Sequence, residues 1–154
     1  MQKEKLKIRI RILASAYQHI LETVGSLPPE SGGILVGYLD DFIVREFIFD
    51  EKGATSPGGY DPDVEFLTAS LEEARAKGYS LLGGLHTHPF GCNRLSGDYG
   101  NNIGDVGYIK EFLKVNPHLD KFLTPIAYSA FEGEFKFFPY WKNRLNGPPF
   151  SVLS

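Results

Sequence analysis

His86 and His88 are separated by Thr87 and followed at once by Pro89. On an extended segment, side chains two residues apart fall on the same face, so both imidazoles point the same way. Ser96 and Asp98 come shortly after. Two histidines and one carboxylate are a standard protein complement for catalytic zinc, with the fourth position left to water. Hydrolysis at such a centre needs three further things: a base for the water, a donor for the oxyanion and a groove for the substrate. Glu30, just ahead of the apolar run Gly32-Gly33-Ile34-Leu35-Val36-Gly37, is the candidate base. Ser96 is the candidate oxyanion donor. Taken singly, these residues have ordinary explanations. A His-x-His on a strand often serves packing, an acid after Pro28-Pro29 is often solvated, and a serine in a loop is often a turn residue. Their combination makes metal binding the leading reading.

The elements that must position them follow from periodicity. Leu6 to Ile12 alternates apolar and basic residues and predicts a half-buried strand. Leu13, Tyr17, Ile20, Leu21 and Val24 share one face of an amphipathic helix that ends near Gly25 and Pro28. Ile34-Leu35-Val36 and Phe42-Ile43-Val44 flank Asp40-Asp41 and predict a hairpin, with the second strand running toward Phe49. Residues 51–60 read as a Gly/Pro/Ser loop. Asp61-Pro62-Asp63 predicts a helix start with Asp61 as cap, and Val64, Leu67, Leu71 and Ala74 form the expected buried stripe. Ser80 to His88 is then a buried strand that delivers the histidines. The segment 90–104 is expected to be a loop. Val106 to Leu113 is a short helix stopped by Asn116-Pro117, and Leu123–Phe131 with Glu134–Phe138 is a closing hairpin. The Gly32-Gly33 and Gly37 positions let the backbone approach a neighbour closely. The order β-α-β-β-α-β-α-β-β predicts a mixed α/β domain (α+β), with a central sheet flanked by helices and spanning residues 1–154.

Together, Glu30 with Gly33-Ile34-Leu35-Val36-Gly37, His86-Thr87-His88-Pro89, and Ser96 with Asp98 resemble the signature of the JAMM (MPN+, JAB-domain) metalloproteases. The order of elements resembles that family over nearly the whole chain. The resemblance implies a cytidine-deaminase-like JAB/MPN fold and a zinc isopeptidase acting on ubiquitin or ubiquitin-like proteins, with bacterial relatives that process ubiquitin-like or sulfur-carrier proteins. It implies that His86, His88 and Asp98 bind zinc, that Glu30 activates water and that Ser96 steadies the intermediate. The partner it implies is a ubiquitin-like protein with an extended C-terminal tail, together with its conjugates and, by analogy, enzymes of a conjugation pathway. One departure matters. The family spaces its serine and aspartate as Ser-x-x-Asp, whereas Ser96-Gly97-Asp98 is one residue short and Tyr99 stands at the expected position. Gly97 allows a backbone shape that returns Asp98 to the metal. Asp105 is the rival ligand, with an N-cap as its ordinary role. If neither binds metal, the chain is a catalytically inactive MPN-like scaffold that binds a ubiquitin-like partner.

Composition narrows the alternatives. At 154 residues the chain suits one domain with one core, and an apolar fraction of 42% argues for a folded globule. A net charge of −3 gives no basis for nucleic-acid binding. No segment reaches the roughly 20 apolar residues needed to span a bilayer, and residues 1–12 lack the apolar core of a signal peptide. Cys92, the single cysteine, excludes an internal disulfide and points to a reducing, cytoplasmic setting. The same count excludes a His/Cys/Cys zinc deaminase. With both nearby histidines assigned to metal, Cys92 reads as a neutral thiol rather than a nucleophile. His19 and His118 read as structural or exposed.

Overall fold

The computed structural model describes residues 10–56, 59–88, 121–123, 125–130, 133–138, 141–143 and 150–153. β1 (Ile10–Leu13) runs directly into α1 (Ala14–Glu22), which a 3-10 turn at Val24–Ser26 extends. β2 (Gly32–Gly37), β3 (Ile43–Val44) and β4 (Glu46–Phe49) follow. Next come β5 (Ala54–Ser56), β6 (Gly59–Asp61), α2 (Val64–Ala76) and β7 (Ser80–His88). Beyond residue 120 lie β8 (Lys121–Leu123), β9 (Ile126–Tyr128), β10 (Lys136–Phe138), β11 (Trp141–Asn143) and β12 (Phe150–Leu153). The architecture is α+β with a mixed sheet, as the alternating pattern predicts.

The sheet that carries the histidines has the order β10-β9-β7-β2-β4. β2 is antiparallel to both β4 and β7, while β7 runs parallel to β9 and, at Gly83, to β8. A smaller parallel sheet has the order β12-β1-β3. Register and alternation divide the residues of the large sheet between two faces. Gly33, Leu35, Phe47, Phe49, Leu85 and Thr87 share one face, and Gly32, Ile34, Ile48, Asp50, Gly84, His86 and His88 share the other.

The first face meets α1. Ala16, Ile20 and Val24 pack with Leu35, Phe47 and Leu85 in the main core, joined by Ile10, Ile12, Val44, Leu123 and Ala127. Each such fully buried aliphatic side chain contributes roughly 1.5–3 kcal/mol relative to exposure. The second face meets α2, which packs on β2 and β7. A Lys77–Glu46 ion pair of 3.3 Å links the segment after α2 to β4 on that face. Between Leu35 and Val36 the β2–β7 register shifts: Leu35 pairs with Gly83 but Val36 pairs with Leu81. Leu82 is the extra residue of this bulge, and it is fully buried.

Several local expectations change. The hairpin expected around Asp40-Asp41 forms between β2 and β4, because Ile43-Val44 leaves the turn to pair with β1 instead. Residues 51–60 are not all loop: β5 and β6 form an antiparallel hairpin. The cap of α2 is Asp63 rather than Asp61, with its Oδ1 accepting the Phe66 N–H at 2.9 Å. Asp61 is drawn into β6 by its pairing with Ala54. In the first turn of α2, Val64 is 71% exposed, whereas Ala74 is buried as expected. The expected closing hairpin is present as β9 and β10. The helix expected at Val106–Leu113 and the loop at 90–104 fall outside the described residues.

Candidate functional site

β7 ends on the histidines and is held on both edges there. His86 pairs with Gly32 of β2 and with Ile126 of β9, and Thr87 and His88 pair with Ala127 and Tyr128. A strand hydrogen-bonded on both sides fixes the backbone of its last three residues, and its pleat fixes their faces. Thr87 points into the α1 face, fully buried, and its neighbours therefore point away from that core.

The two imidazoles converge as the spacing predicts. Their Nε2 atoms lie 2.7 Å apart, with ring centroids at 4.6 Å and an interplanar angle of 60°. His88 is 6% exposed, while His86 is half-buried. Two bare lone pairs repel at this separation, so either one Nε2 carries a proton and donates it to the other, or a cation draws on both. In a tetrahedral zinc site with Zn–N of about 2.0–2.1 Å, two ligand nitrogens stand roughly 3.4 Å apart, so a modest parting of the rings suffices.

Glu30 lies in the half-buried bend before β2. The β2–β7 register continues through Ser31, whose carbonyl accepts the Thr87 N–H at 2.8 Å and whose N–H donates to Thr87 Oγ1 at 3.1 Å. Glu30 directly precedes Ser31, the residue these two bonds tie to Thr87. Thr87 therefore couples the two halves of the candidate site. Its backbone and hydroxyl fasten the residue after Glu30, and its flanking positions carry the imidazoles.

Ser96, Asp98 and Asp105 lie outside the described residues, as does Cys92. Among the described residues, no group of three or more His, Cys, Asp and Glu is placed to hold a metal ion. The described donor set is thus the histidine pair, whose two converging nitrogens fit zinc as two of its ligands. His19 is exposed on α1, its ring 6.1 Å from that of Phe47.

Two residues of this region went unread in the sequence. Asp50 directly follows β4 and is 3% exposed. Its N–H donates to the Gly32 carbonyl at 2.9 Å, and its Oδ2 accepts from the Tyr60 hydroxyl at 2.6 Å and from the Asp63 N–H at 2.9 Å. Tyr60, from β6, lies against Gly32, where an added Cβ would stand 2.7 Å from ring atom Cε2. Gly32-Gly33 was legible as a site of close backbone approach, and the Leu85 and Ile48 carbonyls do come close. That aromatic rings occupy the same gaps was not legible, because the partners are distant in sequence.

Comparison with known proteins bears on the fold. No family model matches the chain, and no curated protein matches it. Among solved structures, it is similar to that of protein DSY2949 from Desulfitobacterium hafniense, determined in solution. The TM-score is 0.66 at 17% identity, covering 93% of this chain and 92% of the other. At that identity the likeness speaks to the fold alone. No helix among the described residues is long and apolar enough to cross a membrane.

Proposed function

We propose that this protein is a zinc-dependent isopeptidase or peptidase of JAMM type that hydrolyses the bond after the C-terminal tail of a ubiquitin-like protein. The observation that carries this reading is the 2.7 Å approach of the His86 and His88 Nε2 atoms at the end of a strand pinned on both edges. Glu30, one residue before the Ser31 that Thr87 fastens, adds a carboxylate ahead of the strand end that pairs with His86. His86, His88 and Asp98 would hold the zinc, with Asp105 as the alternative third ligand. When bound, zinc polarises the scissile carbonyl and lowers the pKa of water toward neutrality. Glu30 takes a proton from the attacking water and passes it to the departing amine as the C–N bond breaks. Ser96 donates a hydrogen bond to the oxyanion that develops on the carbonyl oxygen. An extended tail is held by main-chain pairing along a strand edge, and small tail residues suit a narrow passage. A cytoplasmic setting fits the lone cysteine.

The competing reading, a metal-free scaffold for the same partner, rests on the one-residue shortfall between Ser96 and Asp98. Elemental analysis after chelator-free purification separates the two readings: about one zinc per chain supports the enzyme, and none supports the scaffold. The activity test is cleavage of a ubiquitin-like protein carrying a C-terminal extension. Chelation should stop cleavage and zinc should restore it. Glu30→Gln should retain zinc and lose turnover. Cleavage by the Gln variant at the wild-type rate removes Glu30 from the base role.

A further inference from the structure

His86, Gly32 and Asp50 stand in one row across β7, β2 and the end of β4. Gly32 pairs with His86, and the β2–β4 register that pairs Gly33 with Phe49 sets Gly32 beside Asp50, whose N–H donates to the Gly32 carbonyl. Residues directly opposite one another in antiparallel strands share a face, so the His86 and Asp50 side chains rise from the same side of the sheet. Between them Gly32 has no side chain, and the Tyr60 ring fills the gap. A Cβ on Gly32 would meet Tyr60 Cε2 at 2.7 Å and Cδ2 at 3.0 Å, and a Cβ on Gly53 would meet Cε1 at 2.8 Å. The ring is thus set edgewise between two glycines. Its hydroxyl is fastened to Asp50 Oδ2 at 2.6 Å, and the buried Oδ2 also holds the Asp63 N–H. Asp50 Oδ1 is buried and has no hydrogen-bond partner among the described residues, so no second bond there competes for the orientation of the carboxylate.

We infer that Tyr60, fastened by Asp50, is a positioning residue for the His86 imidazole. Facing Cβ atoms in an antiparallel pair are about 4.5–5.5 Å apart, so a ring edge in the place of a Gly32 side chain is the cross-strand neighbour of His86. It blocks the imidazole from swinging toward β4 and keeps its Nε2 turned to His88. Asp50 acts through Tyr60, and the two glycines make the slot. The metal consequence rests on the zinc reading above; the seat of the Tyr60 ring against Gly32 does not.

The test uses the full chain with Co2+ as probe, read by its visible spectrum and by titration. Tyr60→Ala should weaken Co2+ binding by about 10- to 100-fold, the range typical when a partner that orients a ligand is removed, and should shift the spectrum. Tyr60→Phe, which keeps the ring, should recover most of both. Asp50→Asn should fall between. If Tyr60→Ala does not fold, Tyr60→Leu replaces it, since it fills the slot without a planar wall. Wild-type affinity and spectrum in the ring-deleted variant overturn the inference. So does equal damage from Tyr60→Phe and Tyr60→Ala, which would mark a bond needed for folding rather than a wall. If the wild-type chain takes up neither Co2+ nor Zn2+, the zinc reading fails. Nuclear Overhauser contacts between the Tyr60 and His86 ring protons then decide the positioning claim: their presence upholds it and their absence sinks it.

Discussion

Replacing Thr87 by valine removes one hydroxyl and almost no volume, at a residue with no solvent exposure. Its Oγ1 accepts the Ser31 N–H at 3.1 Å and makes a longer contact of 3.4 Å with the Ser31 carbonyl. The carbonyl keeps its bond from the Thr87 N–H at 2.8 Å in the variant, so it loses little. The Ser31 N–H is the group left behind, buried and without an acceptor. An orphaned buried donor costs about 1–3 kcal/mol, more than the average worth of the bond, because desolvation is no longer offset. With a urea m-value of about 2 kcal/mol/M, the midpoint should fall by roughly 0.5–1.5 M at unchanged slope. Thr87→Ser keeps the acceptor and removes a buried methyl, for a loss of about 1 kcal/mol. Paired urea titrations of the three proteins, followed by circular dichroism, decide the matter. A valine variant as stable as wild type would falsify the claim that this hydroxyl fastens the Glu30 segment to the histidine strand. Because Ser31 is the link, the valine variant should also bind zinc with less change than it shows in turnover, since Glu30 loosens while β9 still holds the histidines.

Other outcomes follow from particular residues. Asp98→Ala should lower zinc occupancy more than Asp105→Ala, measured by elemental analysis; the reverse order reassigns the third ligand to Asp105. Gly83→Ala should cost about 1–3 kcal/mol by overpacking, since its Cβ would stand 2.1 Å from the Leu123 carbonyl oxygen and β8 must shift; a neutral result in urea rejects the close approach. Asp41 accepts a backbone bond from the Ile43 N–H and pairs with Arg45 at 2.7 Å, and these hold its carboxyl below the ordinary value of 3.8. A carboxyl lowered in the folded state contributes stability that is complete above its unfolded pKa and is lost as pH falls through the folded one. Acid titration of stability should therefore flatten below pH 3.8 in Asp41→Asn relative to wild type; superimposable curves exclude a contribution from Asp41.

The parts of this fold that were legible are those set by local pattern. Period-two spacing placed both imidazoles on one face, and the Nε2 atoms meet. The 3.6 period placed Ile20 and Val24 against the core. What escaped is long-range. Nothing near Ile43-Val44 signals that this segment abandons its hairpin for β1, because the partner lies some thirty residues upstream. The stretch 51–60 reads as loop from its Gly, Pro and Ser content, yet it folds into a hairpin fastened through the Tyr60 hydroxyl to Asp50, an interaction between side chains with no local periodicity. The cap of α2 slipped from Asp61 to Asp63 because two acids flank the proline and both suit a helix start, and strand pairing then claimed the first. At the candidate site, the convergence of the two histidines could be read from their spacing. Asp50 and Tyr60 could not, since only the register reveals that His86, Gly32 and Asp50 form a row.

The bulge at Leu82 is absorbed within β7 and leaves the phase of the strand's tip against β2 unchanged. Gly83, opposite Leu35, faces inward, and from there the alternation runs so that Leu85 and Thr87 enter the hydrophobic interior while both histidines leave it. Cutting Leu82 out of the chain would leave Val36–Leu81 and Leu35–Gly83 as consecutive pairs with both rings still outside, whereas losing Gly84, with the pairs before it kept, would invert the parity of the strand's tip and drive two imidazoles into oil while a threonine took the open side. The outward aim of the rings is therefore fixed by the count of residues from Gly83 to the tip, and not by the buried leucine before it.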